Sequence, residues 1–319
     1  MGSIGPQDDS RWAALLMAHG GPGAPDEVEP YLRDIRGGRP TSPELLADVQ
    51  RRYAMIGGRS PLLDITRAQA RALEVRLEAD LGDRAPQVYV GMLHWRPYIR
   101  DAVAEMAADG VRRVVALCLA PHYSRMSVGS YFARLEESRS EVGARLDVVR
   151  VESWHDNPLL VGAIAEKVEA ALDRFPAETR GRVAVVFTAH SLPAAAVAEG
   201  DPYDAQVRET ASLVAERAGL GADRWGVAYQ SAGARPGDWL EPSLSEALGA
   251  AAAFGRPGVL VAPVGFVADN VEILYDLDVE AQALARRLEV RLERAESLNA
   301  APRFVEALAD VVRRTLSGA

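Results

Sequence analysis

The chain has 319 residues, 48% of them hydrophobic and 25% charged, with a formal net charge of −9. That length and apolar share fill one large or two ordinary domains with real cores and exclude a disordered chain. The acidic balance, with no dense basic patch, excludes a protein that holds nucleic acid through its phosphates, and an anionic substrate would have to be met by locally placed arginines.

Eight β-rich runs are expected as strands, near 12–18 (WAALLMA), 87–93 (QVYVGML), 112–119 (RRVVALCL), 145–151 (RLDVVRV), 182–188 (RVAVVFT), 225–230 (WGVAYQ), 258–264 (GVLVAPV) and 288–293 (LEVRLE). Several are continuously apolar rather than alternating, which suits parallel strands covered by helices on both faces. Helical patterns lie between them. In 66–81, Ala70, Leu73, Leu77 and Leu81 share one face and Gly82 stops the run. A last helix starts at Pro302 and carries Phe304, Leu308, Val312 and Leu316 on one stripe. The alternation predicts an α/β fold with parallel sheet, in one sheet or two similar halves, with 148–157 (VVRVESWHDN) as a crossover. No apolar run is long enough to cross a bilayer, and MGSIGPQDDSR holds neither an apolar signal core nor a basic leader, so a cytoplasmic protein without stable membrane insertion is expected. The single cysteine, Cys118, lies in the apolar run VVALCLA and reads as a small buried hydrophobe. Alone it makes no intrachain disulfide and no all-cysteine iron–sulfur cluster.

In sheets of this kind the chemistry sits at the carboxyl ends of the strands. After the first strand comes AHGGPG, with His19 at the strand end; neither GxGxxG nor a Walker lysine motif accompanies it, so no nucleotide cofactor is expected. IRGGRP and RRYAMIGGRSPL follow, with Arg36, Arg39, Arg51, Arg52, Tyr53, Arg59 and Ser60; these arginines read as carboxylate binders or as solvated surface charge. After the third strand, APHYSRMSVGSYF offers His122, Ser124, Ser127, Ser130 and Tyr131, which would line a pocket or cap the next helix. After the fifth, TAHSLP places His190 where a neutral imidazole can ligate a metal or take a proton near neutral pH. After the seventh, PVGFVADNVEILYDLDVEAQAL repeats Glu272, Asp276 and Glu280 at i, i+4 and i+8. On a helix this is a file of carboxylates, either an acidic solvent face with Val271, Leu274 and Leu277 buried behind it or a line of oxygen ligands for a divalent cation.

These segments, with YLRDIRGGRP, VESWHDNP, GDPYDAQV and RAESLNAAPRF, resemble the ferrochelatase family over roughly residues 12–317. TAHSLP followed by PVGFVADNVEILYD carries the resemblance most specifically, and the soluble bacterial type that metallates coproporphyrin III is the nearest in pattern. The resemblance implies two Rossmann-like domains, each a four-stranded parallel sheet flanked by helices. The first would comprise 11–149 plus 294–319, with the final helix returning to it, and the second 150–293. A porphyrin would sit between them, a haem-type product would leave, and Fe2+ would enter as a substrate. His190 and Glu272 are implied as the catalytic and iron-binding pair, with Asp276 and Glu280 extending the acidic line. Arg36, Arg52, Tyr53, Ser60 and Tyr131 are implied as porphyrin contacts. His19 stands where relatives of this type carry a tyrosine facing the metal from the other side of the ring, so it is expected to contact the substrate and to ligate the iron of the product. Asn270 stands where a histidine is common before the catalytic glutamate, and YQSAG (229–233) where many relatives read WQSxG. With no cysteine-rich C-terminal extension, no iron–sulfur cluster is expected. A monomer is expected. The neighbouring readings are a protoporphyrin IX ferrochelatase, a cobalt chelatase, and a tetrapyrrole carrier that binds without inserting metal.

Overall fold

The computed structural model describes residues 11–233 and 238–318, so the opening MGSIGPQDDS lies outside the described residues. Eight strands form: β1 (Trp12–Ala18), β2 (Gln87–Met92), β3 (Arg113–Cys118), β4 (Asp147–Val151), β5 (Ala184–His190), β6 (Trp225–Gln230), β7 (Val259–Ala262) and β8 (Leu292–Arg294). They make two four-stranded sheets, ordered β2-β1-β3-β4 and β6-β5-β7-β8, with every pairing parallel. Strand for strand the two orders are the same winding, so the chain is a pair of Rossmann-like α/β halves.

The apolar runs are buried on both faces. Ala13 through Met17 have no exposed surface; Ala14 and Leu16 enter a core shared by both halves, while Ala13, Leu15 and Met17 enter a core of the first half alone. Alternate side chains of one strand thus serve two layers of helices, and each fully buried leucine contributes roughly 1.5–3 kcal/mol. The expected strand 288–293 is shorter and later than its pattern, because Glu289 turns the chain at φ +54° before β8 begins.

The helix expected over 66–81 spans Leu62–Leu81, beginning a turn earlier after Pro61, and it buries Ala70, Leu73 and Leu77. The crossover is pinned by Trp154, whose Nε1–H donates to Cys118 O at 3.1 Å and whose ring lies 6.0 Å from that of Phe304. Phe304 belongs to the final helix, Pro302–Gly318, where Phe304, Leu308 and Val312 are wholly buried. That helix packs on Leu62–Leu81 of the first half and on Pro158–Leu172 of the second. Cys118 is buried, and burial pushes its thiol up. Among the described residues no helix is long and apolar enough to cross a membrane.

The acidic segment is not an α-helix. Glu272–Ala281 winds as a π-helix, with Asn270 Oδ1 accepting from Ile273 N at 3.1 Å at its entrance. The wider i→i+5 turn changes which positions face inward. Ile273, Tyr275, Leu277 and Ala281 are buried, whereas Val271 and Leu274 are only half-buried, contrary to the α-helical expectation.

Candidate active site

The carboxyl ends of β1, β2, β3, β5 and β7 open onto one cleft of about 360 Å³ between the halves, a size ordinary for an organic ligand. Six of the ten residues implied by the family resemblance line it: His19, Tyr53, Ser60 and Tyr131 from the first half, His190 and Glu272 from the second, with His122, Ser127 and Ser130 of the loop and helix after β3. Tyr31, His94 and Tyr203 join them.

His190 ends β5. Its Nδ1–H donates to Ser191 O at 2.5 Å, which leaves the Nε2 lone pair free, and Nε2 stands 3.6 Å from Glu272 Oε1. Two metal–ligand bonds of about 2.1 Å at a tetrahedral angle span roughly 3.4 Å, so this nitrogen and this oxygen are spaced to share one ion. Glu272 opens the π-helix, and Gln230 Nε2 donates to its carbonyl at 3.1 Å, tying the helix entrance to the end of β6. The turn after β7 is pressed against β5: a Cβ on Gly265 would stand 2.7 Å from Ala189 Cβ, beside His190. Only glycine admits that approach.

His19 follows β1 directly. Tyr31 O–H donates to Gly20 O at 3.3 Å, and its oxygen lies 3.2 Å from His19 Nδ1, where it accepts the imidazole N–H. That arrangement again leaves Nε2 free. The ring edge is open to the cleft, but protein packs around it and His94 lies with ring centroids 4.8 Å away. Desolvation first, then the His94 and His190 rings, hold the His19 imidazole down at about 4, against a small opposing bond to Gly20 O, so it is neutral at physiological pH. His94 in turn donates from Nδ1 to Asp34 Oδ2 at 3.1 Å.

The remaining lining is neutral. Burial first, and the nearby Glu272 charge with it, push Tyr31, Tyr53, Tyr131 and Tyr203 up, so all four stay protonated phenols. His122 has its Nε2 2.9 Å from Thr210 Oγ1, and Thr210 donates its own proton to His155 O at 2.9 Å, so His122 donates from Nε2. Burial, then the His155 ring, pushes His122 down to about 3.

Arg36, Arg52, Asp276 and Glu280 do not line the cleft. Arg36 is half-buried, with Nε on Pro40 O at 3.3 Å. Arg52 is turned to carboxylates: Nε donates to Asp48 Oδ2 at 2.8 Å and Nη1 lies 3.6 Å from Asp276 Oδ1. Arg51 donates to Tyr275 Oη at 2.7 Å, and both guanidinium groups lie over the Tyr275 ring. Asp276 also accepts from Ser231, a non-glycine residue held at φ +58°. Desolvation lifts the Asp276 carboxyl to about 6 with help from the charges of Glu272 and Glu280, while Ser231 and Arg52 pull the other way. Glu280 is exposed. Among the described residues no three His, Cys, Asp or Glu side chains gather as a metal cage.

The ferrochelatase family model matches residues 11–316. The chain belongs to the ferrochelatase family. It is 46% identical over 313 residues to a ferrochelatase of Thermus thermophilus, covering 93% of this chain and 97% of the relative. It is 39% identical over 303 residues to the coproporphyrin III ferrochelatase of Bacillus subtilis, covering 95% and 97%. The solved structure of SirB from Bacillus subtilis with Fe3+ shares the fold, at a TM-score of 0.60 and 13% identity, covering 96% of this chain and 95% of that one. As a family member the chain is an enzyme that inserts Fe2+ into a porphyrin in haem synthesis. Three cleft residues escaped the sequence reading. Tyr203 sat unmarked in GDPYDAQV, His94 follows the second strand where chemistry was to be sought, and Tyr31 looks like any core aromatic of its helix.

Proposed function

We propose that the substrate is coproporphyrin III and that the cleft divides the work between its walls. The His190–Glu272 pair, spaced to share an ion and facing a wall of neutral phenols and a neutral histidine, carries the division of work, and the likeness to relatives named for coproporphyrin III supports the substrate. Fe2+ forms bonds to the four ring nitrogens while two pyrrole N–H bonds break. His190 Nε2 accepts one proton, and Glu272, within reach of the same ion, steadies the metal and takes the other. Tyr53, Ser60 and Tyr131 contact the ring. His19 ligates the iron of the product from the opposite side through Nε2, a role supported by its bond to Tyr31 and its low basicity. Arg36, which forms no ion pair among the described residues, is the cation we assign to a propionate. Arg52 we reassign to the contact with Asp276. Asp276 and Glu280 lie further along the π-helix as a path by which the cation approaches.

We assign residues 11–151 with the final helix to the first domain and 152–294 to the second; the boundaries move from 149 and 293 because β4 runs to Val151 and β8 ends at Arg294. The enzyme acts as a cytoplasmic monomer. Anaerobic Fe2+ insertion with coproporphyrin III and protoporphyrin IX side by side tests the substrate. Strong preference for coproporphyrin III is expected. Preference for protoporphyrin IX would overturn that choice, and tight binding with no insertion into either ring would make the chain a carrier.

A further inference from the structure

Between β5 and β6, the stretch from Asp201 to Thr210 holds two parts of the cleft in register. Asp201 is 4% exposed, and among the described residues it forms no ion pair. Its carboxylate is satisfied by three donors. Oδ2 accepts from Ser124 Oγ at 2.9 Å and from Arg125 N at 2.8 Å, and Oδ1 accepts from Tyr203 N at 3.1 Å. Two of the three come from the other half, out of the loop that follows β3. The next residues of that loop are held the same way: Tyr123 N donates to Gln206 Oε1 at 2.7 Å, and His122 donates to Thr210. Ser124 is itself fully buried, and its oxygen accepts from Met126 N at 3.1 Å.

Both sides of this contact lead to the cleft. The loop runs on through Met126 and Ser127 into the helix Val128–Val142, and Met126, Ser127 and the helix's Ser130 and Tyr131 are all in the lining. Tyr203, whose amide binds Asp201, donates its O–H to His190 O at 3.0 Å. One carboxylate therefore sets where the Tyr131 wall stands relative to the His190 base. Adhesion alone does not explain a buried charge here, since an apolar pair would hold two surfaces together without the cost of desolvating it. Three convergent donors need an acceptor-only group, and an amide in its place would set an N–H2 against an N–H.

We propose that Asp201 is a positioning residue for metallation, which acts through Ser124 and Arg125 to hold the porphyrin wall against the half that carries the base. The proposal rests on reading the cleft as the porphyrin site. Asp201→Asn and Ser124→Ala, singly and together in the full chain, are compared with the parent for coproporphyrin III binding by fluorescence and for the KM of each substrate. Each single variant is expected to weaken porphyrin binding and raise porphyrin KM about tenfold, the loss of one well-placed hydrogen bond to a charged group. The KM for Fe2+ should stay within about twofold, and the double variant should be no worse than about twofold beyond the weaker single, because both break one contact. An unchanged porphyrin affinity in Ser124→Ala, additive losses, or equal rises in both KM values would overturn the proposal. If Asp201→Asn fails to fold, Ser124→Ala, which removes only a hydroxyl, still decides. A parent that binds no porphyrin would instead defeat the reading of the cleft.

Discussion

The two halves wind their strands alike, and each ends its leading strand on a histidine, His19 after β1 and His190 in β5. Both rings lose Nδ1 to a local oxygen and offer Nε2 to the same cleft. Their neighbours differ. His19 stands among Tyr31, His94 and the other phenols of the first half, with no carboxylate bonded to it. His190 faces Glu272 at the entrance of a π-helix that has no counterpart among the described residues of the first half. Topology places the two imidazoles, and the groups packed around them are the ground for the proposal that His19 holds and His190 reacts.

The largest break in this contrast is Glu272→Gln. It keeps the shape of the second wall but removes its charge, and insertion should fall about 100-fold while porphyrin binding stays within a few-fold, as read by anaerobic kcat and by fluorescence titration. Next is Gly265→Ala, whose methyl would collide with Ala189 beside His190. It should cost about 1–3 kcal/mol in urea unfolding and lower kcat, with little change in porphyrin KM. An unchanged kcat would separate the turn after β7 from the placement of His190.

His122 sharpens the comparison through pH. Its folded value, about 3, lies below the ordinary 6.5, so the neutral ring is favoured by folding. That stability is fully present above pH ~6.5 and is lost as pH falls from there towards 3, roughly 5 kcal/mol in all. His122→Gln should flatten this acid limb of the unfolding midpoint, and an equally steep limb in the variant would contradict it. The smallest effect belongs to the part-buried contact between the halves. Arg51→Met removes the bond to Tyr275 and should cost under ~1 kcal/mol, with activity nearly intact. A large loss of Fe2+ insertion there would make this contact part of the cation path.

Much of the scaffold was readable because the inner strands β1, β3, β5 and β7 are buried and must be apolar on both faces, and the cleft was readable as the loops at the strand ends. The π-helix was not, since Glu272, Asp276 and Glu280 align under either winding and only the burial of Ile273 and Tyr275 distinguishes them. The resemblance implies Arg52 as a ring contact, and residue type alone leaves open whether an arginine meets a substrate carboxylate or one of the protein's own. The local pairing with Asp48, one helical turn earlier, and the distant Asp276 were the carboxylates it met. Tyr203 needed the tertiary contact with His190 before it meant anything, as did Asp201.

The division of labour is tested most directly by making His190→Ala and His19→Ala and measuring ring binding, Fe2+ insertion and the spectrum of bound iron product in each. His190→Ala should lose insertion by about 100-fold or more with porphyrin affinity nearly unchanged. His19→Ala should keep insertion within about tenfold and lose the spectral shift of the bound iron product. Insertion that survives without His190, or that vanishes without His19 while the product spectrum is untouched, would contradict the account.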